Sequence, residues 1–280
     1  MLCLIFFMLF VALVQTTARK FIMPWLCLEF CDETTQEIDD NIEQLNSLKS
    51  LINAVSFEKY TLGPNSTLVD NNLTIVNDRI LAMNIETYPL LSSYPHYPEF
   101  IDWMRELFAN PDPFINKCIS EAKLNQYSGY NLDFEPTDNI SSADASAYAN
   151  FINTFSARLH ENNFKLSVDI AKWTVNGISI WDYDSIATTN VDTAISMGTY
   201  TSNNTAFSIQ LNYTLDSFGL TRTGIGLETV NASNESEPLS IENIKYRFDL
   251  INLYKIENIA IWKMPIPINW IPFLINFVNS

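Results

Sequence analysis

Eight short apolar or β-branched runs alternate with longer stretches of helical period from residue 24 onward. Parallel strands joined by crossover helices produce this alternation. The eight runs are Trp25–Glu29, Ala54–Glu58, Ile80–Ile85, Gly129–Asp133, Leu166–Ile170, Thr193–Met197, Gly224–Leu227 and Asn258–Trp262. Eight strands with helices between them are the elements of a closed barrel. The sequence therefore predicts an α/β fold, a single (β/α)8 TIM barrel.

Segments between these runs carry apolar residues at helical spacing, as surface helices of a barrel do. They are Thr34–Leu51, Glu99–Ala122, Ser141–His160, Thr205–Phe218 and Ser240–Tyr254. The connection from residue 60 to 78 is irregular, because Leu68–Val69 and Leu73–Val76 resemble the arms of a hairpin more than a helix. Three prolines interrupt the apolar stretch Met264–Val278, which favours a short closing helix over a membrane span.

The amino-terminal residues have the features of a secretory signal peptide. An apolar run from Leu2 to Val14 is followed by small and polar residues up to Ala18, and it is shorter than a membrane span requires. We expect residues 1–18 to be the signal peptide and residues 19–280 to form one catalytic barrel. After cleavage we expect no membrane association.

Seven N-x-S/T sequons support passage through the secretory pathway. Their acceptor residues are Asn65, Asn72, Asn139, Asn203, Asn212, Asn231 and Asn234. N-linked glycans on these residues are therefore expected, and the protein is expected to be secreted or lysosomal.

Charge and cysteine content exclude several classes of function. The chain has 32 acidic and 16 basic residues, so anionic nucleic acid would be repelled and neutral polymers such as sugars are better partners.

Outside the signal peptide, Cys27, Cys31 and Cys118 allow at most one internal disulfide, whose pairing the sequence leaves open. His96 and His160 do not stand at ligand spacing from the cysteines, so we expect structural histidines and no metal.

Active sites of such barrels lie at the carboxyl ends of the strands. Polar residues at the ends of the eight runs are unusually acidic and include Glu29, Glu86, Asp133, Glu135, Asp169 and Glu228, with Tyr200 and Trp262 beside them. We therefore expect a cluster of carboxylates in the barrel mouth.

The fourth run has the clearest pattern. In Gly129-Tyr-Asn-Leu-Asp-Phe-Glu135, alternation places Asn131, Asp133 and Glu135 on one face, while the apolar residues between them point to the other. Two carboxyl groups buried side by side repel each other, which raises the pKa of one of them. The pair can therefore supply a general acid near neutral pH.

The segment from Ser128 to Glu135 resembles the D-x-x-D-x-D-x-E signature of family 18 glycoside hydrolases, the chitinases and di-N-acetylchitobiases. Ser128 stands at the first Asp and Asn131 at the second, an Asn that chitobiase-like members also have. Asp133 and Glu135 match. The resemblance extends from about Pro113 to Met197.

Two further segments resemble motifs of the same family. The run from Ser196 to Tyr200 is similar to the Met-x-Tyr-Asp motif of strand six, with Thr201 where Asp is usual, and Ile259–Trp262 is similar to the last strand. The connection from Thr229 to Leu239 is too short for the chitinase insertion domain. We therefore expect a barrel without that insertion and a shallow groove.

The resemblance implies a glycosidase that hydrolyses β-linked N-acetylglucosamine residues, in chitin oligosaccharides or a chitobiose core, without a cofactor. Glu135 would protonate the glycosidic oxygen, and the 2-acetamido oxygen of the substrate would attack the anomeric carbon. Asp133 would orient the acetamido group, Asn131 would hydrogen-bond Asp133 and keep it ionised, and Tyr200 would donate to the acetamido oxygen. The substrate-binding residues would be Trp262, Met197, Glu29, Asp169 and Glu228.

Two alternatives remain open at the level of the sequence. Glu135 and Glu228 could be the acid/base and the nucleophile of an ordinary two-carboxylate retaining glycosidase. The departures at Ser128 and Thr201 would instead suit a catalytically silent lectin that binds N-acetylated glycans. Retention of Glu135 argues against the lectin.

Overall fold

The computed structural model describes residues 20–231 and 234–280. The expected signal peptide lies outside this range. Eight strands form the barrel: β1 (Phe21–Leu26), β2 (Ala54–Gly63), β3 (Glu86–Ser92), β4 (Gly129–Asp133), β5 (Lys165–Ile170), β6 (Thr193–Ser196), β7 (Thr223–Glu228) and β8 (Asn258–Trp262). Every neighbouring pair in the order β1-β8-β7-β6-β5-β4-β3-β2 is parallel, and β1 also pairs with β2. The sheet is therefore closed, and the predicted (β/α)8 barrel is confirmed.

Helices follow each of the eight strands, as a barrel of this kind requires. They are α1 (Thr35–Leu48), α2 (Asn77–Leu81), α3 (Phe100–Ala109), α4 (Asp112–Asn125), α5 (Ser142–His160), α6 (Tyr183–Ala187), α7 (Asn204–Arg222), α8 (Ile241–Leu253) and α9 (Ile271–Asn279). The predicted helix from Glu99 to Ala122 is two helices, because Pro111 precedes α4 and cannot continue the backbone hydrogen bonds of α3. None of the helices in these two described ranges is both long and apolar enough to cross a bilayer.

The predicted third strand was placed wrongly. Residues 77–81 are helical, and the strand begins five residues later, at Glu86. Glu86 consequently lies at the amino end of the barrel, opposite the end where the active site was expected. The seven other predicted runs each coincide with or overlap an observed strand.

The connection after β2 is irregular, as predicted, but its hairpin has a different register. The carboxyl end of β2 pairs antiparallel with Thr67–Asp70, and the turn between them is the short helix Pro64–Ser66. A five-residue helix, α2, completes the unit. Between β7 and α8 the chain forms only a small hairpin of Val230–Asn231 with Asn234–Pro238, so no insertion domain is present in this connection.

Most of the apolar core lies between the barrel and its helices, where the outward side chains of the strands are buried. A second, smaller cluster fills the inside of the barrel and consists of Met23, Trp25, Ala54, Tyr88, Leu90, Ile195 and Ala260. The inner cluster closes the barrel below the mouth. Polar residues at the carboxyl ends of the strands therefore stand on an apolar floor.

Gly129 on β4 lies close to the backbone of β5. A Cβ atom there would lie 2.2 Å from the Lys165 carbonyl oxygen. We expect Gly129→Ala to lower the free energy of unfolding by about 1–3 kcal/mol, because the strands must separate to admit the methyl group. Urea unfolding measures this change.

Gly198→Ala is a suitable control, because its new methyl group would meet side-chain atoms and no backbone: the far end of Gln210 at 3.0 Å and Ser196 Oγ at 3.5 Å. Equal unfolding free energies for the two variants would contradict the proposed role of Gly129.

Candidate active site

A cavity of about 200 Å³ opens at the carboxyl ends of the strands. Carboxylates and aromatic rings line it: Trp25, Asp133, Glu135, Asp169, Trp173, Met197, Tyr200 and Trp262. Six of these residues were singled out from the sequence, and they come from four different strands or the loops that follow them. Barrel closure therefore brings together side chains that are more than 100 residues apart.

Strand β4 holds the acidic pair in place through its opposite face. Tyr130, Leu132 and Phe134 are fully buried between the barrel and the helices. The Phe134 ring packs 5.3 Å from that of Phe100 on α3, and the Tyr130 hydroxyl donates to the Cys118 carbonyl oxygen on α4 at 2.7 Å. Since side chains alternate along a strand, these contacts also fix the direction of the inward residues.

The segment that leaves β4 is hydrogen-bonded to the end of β3. The Ser93 backbone N–H donates to the Asp133 carbonyl oxygen at 3.1 Å, and the Glu135 backbone N–H donates to Ser93 Oγ at 3.1 Å. These two bonds tie the backbone of both acidic residues to a neighbouring strand. The carboxyl groups are therefore positioned before any substrate arrives, as catalysis by fixed groups requires.

Asn131 is buried below the acidic pair and belongs to a polar network. Its Oδ1 accepts hydrogen bonds from Trp25 Nε1 at 2.6 Å and from Ser56 Oγ at 3.0 Å. Nδ2 is buried without a hydrogen-bond partner among the described residues, but the Asn131 amide is close enough to Asp169 to lower the pKa of that carboxyl group. The hydrogen bond from Asn131 to Asp133 expected from the sequence is not formed among the described residues.

Burial raises the pKa of Asp133 well above its ordinary value, and the negative charges of Glu135 and Asp169 raise it further. Burial also raises the pKa of Glu135, although a hydrogen bond with Asp133 and the nearby His96 act in the opposite direction. Two carboxyl groups that share a hydrogen bond share a proton as well. The pair therefore keeps a proton to a higher pH than isolated carboxyl groups would, which favours a role as a general acid.

Asp169 is the third carboxyl group of the cavity, and only 1% of it is exposed. Burial and the charge of Glu135 raise its pKa, while the Asn131 amide lowers it, with a net upward shift. The charge state of each of these three acids therefore affects the pKa of another.

Aromatic side chains form the apolar part of the cavity. The Trp25 and Trp262 rings meet edge to face with centroids 6.1 Å apart, and Met197 and Tyr200 lie across from them. Burial and the charge of Asp169 raise the pKa of Tyr200 well above its usual value, so its hydroxyl remains a hydrogen-bond donor at neutral pH. Such a combination of flat apolar faces and polar donors suits a sugar ring.

A second cavity of about 360 Å³ adjoins the first and shares Glu135 and Trp173 with it. His96 and Trp181 also line this cavity, and the Trp173 ring is 46% exposed. Glu135 therefore stands between two compartments, as an acid that cleaves a bond between two sugar units would. His96 was interpreted as structural from the sequence, but the structure places it beside Glu135.

Sequence reasoning missed Trp25, Ser56, His96 and Trp173. Trp25 and Ser56 belong to predicted strands, and their alternation with apolar neighbours could have assigned them to the interior of the barrel. His96 and Trp173 lie in loops after β3 and β5, where no periodic pattern indicates their direction.

Two residues predicted to bind substrate are not among the residues that line either cavity. The Glu29 carboxylate accepts hydrogen bonds from the Thr74 backbone N–H and hydroxyl in an exposed loop. Glu228 lies near Tyr200 and the buried Arg247, whose pKa responds to its charge. Glu228 is therefore not among the residues that line the cavity of the β4 and β5 acids.

Cys27 and Cys31 form the disulfide, and Cys118 is a buried free thiol. The bridge lies directly after β1, in the loop that contains the Glu29–Cys31 helical turn. His160 is exposed on α5, where its Nε2 atom lies 2.8 Å from Asp192 Oδ2.

No family model matches the sequence, and no curated protein matches it either. Solved structures do match its fold. A chitinase from Chromobacterium violaceum superposes with a TM-score of 0.74 at 11% identity over 93% of this chain and 99% of that chain. The spore cortex-lytic enzyme SleL of Bacillus megaterium gives a TM-score of 0.76 at 15% identity, over 92% of this chain and 74% of that one.

A GH18 chitinase from Pseudoalteromonas aurantia gives a TM-score of 0.67 at 14% identity, over 92% of this chain and 98% of that one. At such identities the comparisons establish the fold, which is the barrel of these chitinases. The chemistry of the site has to be argued from its own residues.

The pKa directions predict how thermal stability depends on pH. Asp133, Glu135, Asp169 and Glu58, whose burial raises its pKa to about 7, bind protons more tightly in the folded state. Stability therefore falls as pH rises through neutrality, because ionised buried acids destabilise the folded chain. Differential scanning calorimetry between pH 4 and pH 9 measures this slope.

Asp144 has the opposite effect. Its hydrogen bonds with Arg105 lower its pKa to about 2, so its contribution to stability is lost as pH falls from about 4 towards 2. We expect maximal stability in mildly acidic solution and a shallower neutral slope in Asp133→Asn. An unchanged slope in that variant would contradict the assigned burial of the acidic pair.

Proposed function

We propose that the protein is a glycosidase that hydrolyses β-linked N-acetylglucosamine residues, with Glu135 as the general acid. The observation that carries this proposal is the hydrogen-bonded Asp133–Glu135 pair in an aromatic cavity at the barrel mouth. Chitinases with the same fold and the matching residues of the β4 signature support the substrate class.

The arrangement of acids supports attack by the substrate's own acetamido oxygen. A two-carboxylate retaining enzyme needs a carboxylate nucleophile across the sugar from the acid. The carboxyl groups of the cavity come from the adjacent strands β4 and β5, and Glu228 is outside the residues that line it. The nucleophile is therefore best supplied by the substrate.

In this mechanism Glu135 donates its proton to the glycosidic oxygen as the bond to the anomeric carbon breaks. Asp133 faces the acetamido N–H and stabilises the positive charge of the oxazolinium ion, and the Tyr200 hydroxyl donates to the acetamido oxygen. Trp262 lies under the sugar ring. Water then opens the oxazolinium ion, and Glu135 recovers a proton from that water.

Glu135→Gln tests the proposal. It keeps the shape of the side chain but removes its proton, so we expect kcat on an aryl chitobioside or chitotrioside to fall by about 100-fold to 10,000-fold. Release of the chromophore measures activity. Glu161→Gln is the matched control, because it makes the same change on the exposed end of α5.

Wild-type protein that binds these sugars without hydrolysing them would contradict the enzyme and favour a lectin. Activity that survives Glu135→Gln but is lost in Glu228→Gln would favour the two-carboxylate mechanism instead.

We further propose that the protein passes through the secretory pathway, with residues 1–18 removed and N-linked glycans attached. Asn65, Asn72 and Asn139 are exposed and have positive φ angles, so they project from turns where a glycan can be accommodated. Expression in a eukaryotic secretory host should give a product whose mass falls after treatment with peptide N-glycosidase.

Amino-terminal sequencing of the same product should begin after Ala18. A product that starts at Met1, or whose mass is unchanged by the glycosidase, would contradict this proposal. The Asn65→Gln variant provides a control for the contribution of a single site.

A further inference from the structure

Asp169 has no counterpart among the groups that the proposed reaction uses. It was expected only to contact substrate, but it is buried as deeply as the core around it, with 1% of its surface exposed. Burying a carboxyl group is costly unless another group compensates for its charge or its proton. The environment of Asp169 therefore indicates what this residue does.

The strand register places Asp169 beside Asp133. Asn131 pairs with Ser167 and Leu132 with Val168, so Asp133 is level with Asp169 on the neighbouring strand. Both side chains line the same cavity. Adjacent strands are separated by about 4.8 Å, which puts two such carboxyl groups within reach of each other after a small side-chain rotation.

Each of these two acids has one oxygen that lacks a hydrogen bond. Asp133 Oδ1 and Asp169 Oδ1 are both buried and have no partner. Buried polar atoms are nearly always paired, so two such oxygens on adjacent residues require an explanation. A single proton held between them would pair both at once.

We propose that Asp169 is a positioning residue that shares one buried proton with Asp133 and takes up that proton when Asp133 must become a carboxylate. This inference rests on the proposed function. As positive charge develops on the sugar, the O–H bond of Asp133 breaks and an O–H bond forms on Asp169. The proton returns when the intermediate is hydrolysed, and no other reactant is needed.

Asn131 on β4 has an amide, which cannot take up a proton from Asp133. The carboxyl group that can exchange a proton with Asp133 in this proposal is therefore that of Asp169 on β5. Asn131 Oδ1 is occupied by Trp25 Nε1 and Ser56 Oγ, so only N–H groups remain for Asp169. The amide can donate to one oxygen of Asp169 while the other oxygen exchanges the proton with Asp133. Asn131 Nδ2 is itself buried without a hydrogen-bond partner, so it is available for that bond.

The other titratable groups around Asp169 do not compete for this role. They are Glu135 after β4, Tyr148 on α5 and Tyr200 after β6. Each is neutral or negative at neutral pH, and Glu135 hydrogen-bonds Asp133 from the side of the cavity mouth. Asp133 consequently stands between the acid and the proton acceptor.

Asp169→Asn tests the proposal, because an amide cannot take up the proton. We expect kcat to fall by about 100-fold with KM changed little, since the effect acts on the reacting state. The pH profile of kcat should also change, which loss of packing alone would not cause. Asp184→Asn, the same change on an exposed residue of α6, should leave kcat unchanged.

A double substitution, Asn131→Asp with Asp169→Asn, provides a rescue. The new carboxylate at position 131 would still accept from Trp25 and Ser56 and would also accept from the new amide at position 169, so only the bond between positions 131 and 169 reverses its direction. We expect it to recover at least about tenfold of the activity lost in Asp169→Asn, because contacting sites do not act additively.

Infrared spectroscopy tests the shared proton without any substrate. The carbonyl band of a protonated carboxyl group should persist above neutral pH in the wild type. It should disappear at lower pH in Asp169→Asn, because one neighbouring charge is gone, and shift back in the double variant. An unchanged midpoint in Asp169→Asn, or wild-type kcat in that variant, would overturn the inference.

These readouts separate the two proposals. A wild type that hydrolyses none of the sugars but shows the expected infrared shifts would refute the glycosidase and leave the shared proton established. An active wild type whose Asp169→Asn variant keeps both kcat and the infrared midpoint would refute only the role of Asp169.

Discussion

The hydrogen bond from Trp25 Nε1 to Asn131 Oδ1 fixes the orientation of the polar interior of the barrel. It joins β1 to β4 across the barrel, between residues 106 positions apart in the chain. Because the indole can only donate, the amide oxygen must face it, and the amide nitrogen must point away from it. One aromatic side chain on the first strand therefore controls the electrostatics of acids on the fourth and fifth strands.

The acids of the cavity lie in a strongly negative protein, because the whole chain carries a formal net charge of −16. A negative surrounding field favours protonated carboxyl groups, and burial acts in the same direction. Both effects raise the pKa of the acids in the cavity, while the hydrogen bond with Asp133 and the charge of His96 oppose the rise for Glu135.

Alternation and run length were sufficient to predict the barrel and the inward face of β4, because both follow from local geometry. The third strand was missed because Pro89 interrupts it, and proline is rare inside strands. The residue pattern of the apolar segment before this strand is compatible with a short helix or with a strand, and only its packing in the folded protein decides between them. The helix α2 ends at Leu81, and the positive φ of Asn84 in the turn that follows leads the chain into the strand.

Site residues on a single strand could be predicted from the sequence, whereas contacts between residues of different strands could not. Asp133 and Glu135 could be paired from their spacing alone. The partners of Asn131 could not, because Trp25 and Ser56 reach it only when the sheet closes. The surroundings of Glu228 could not be predicted either. Its neighbour Arg247 lies on α8, and the residue pattern of β7 does not indicate this contact.

The bridge between Cys27 and Cys31 closes a very small ring, so it contributes little to global stability through chain entropy. Its effect is local. It braces the turn that follows β1, where the Leu28 backbone N–H also binds the Glu58 carboxylate at 2.8 Å. The bridge and the Glu58 contact therefore hold the end of the same strand whose Trp25 indole binds Asn131 inside the barrel.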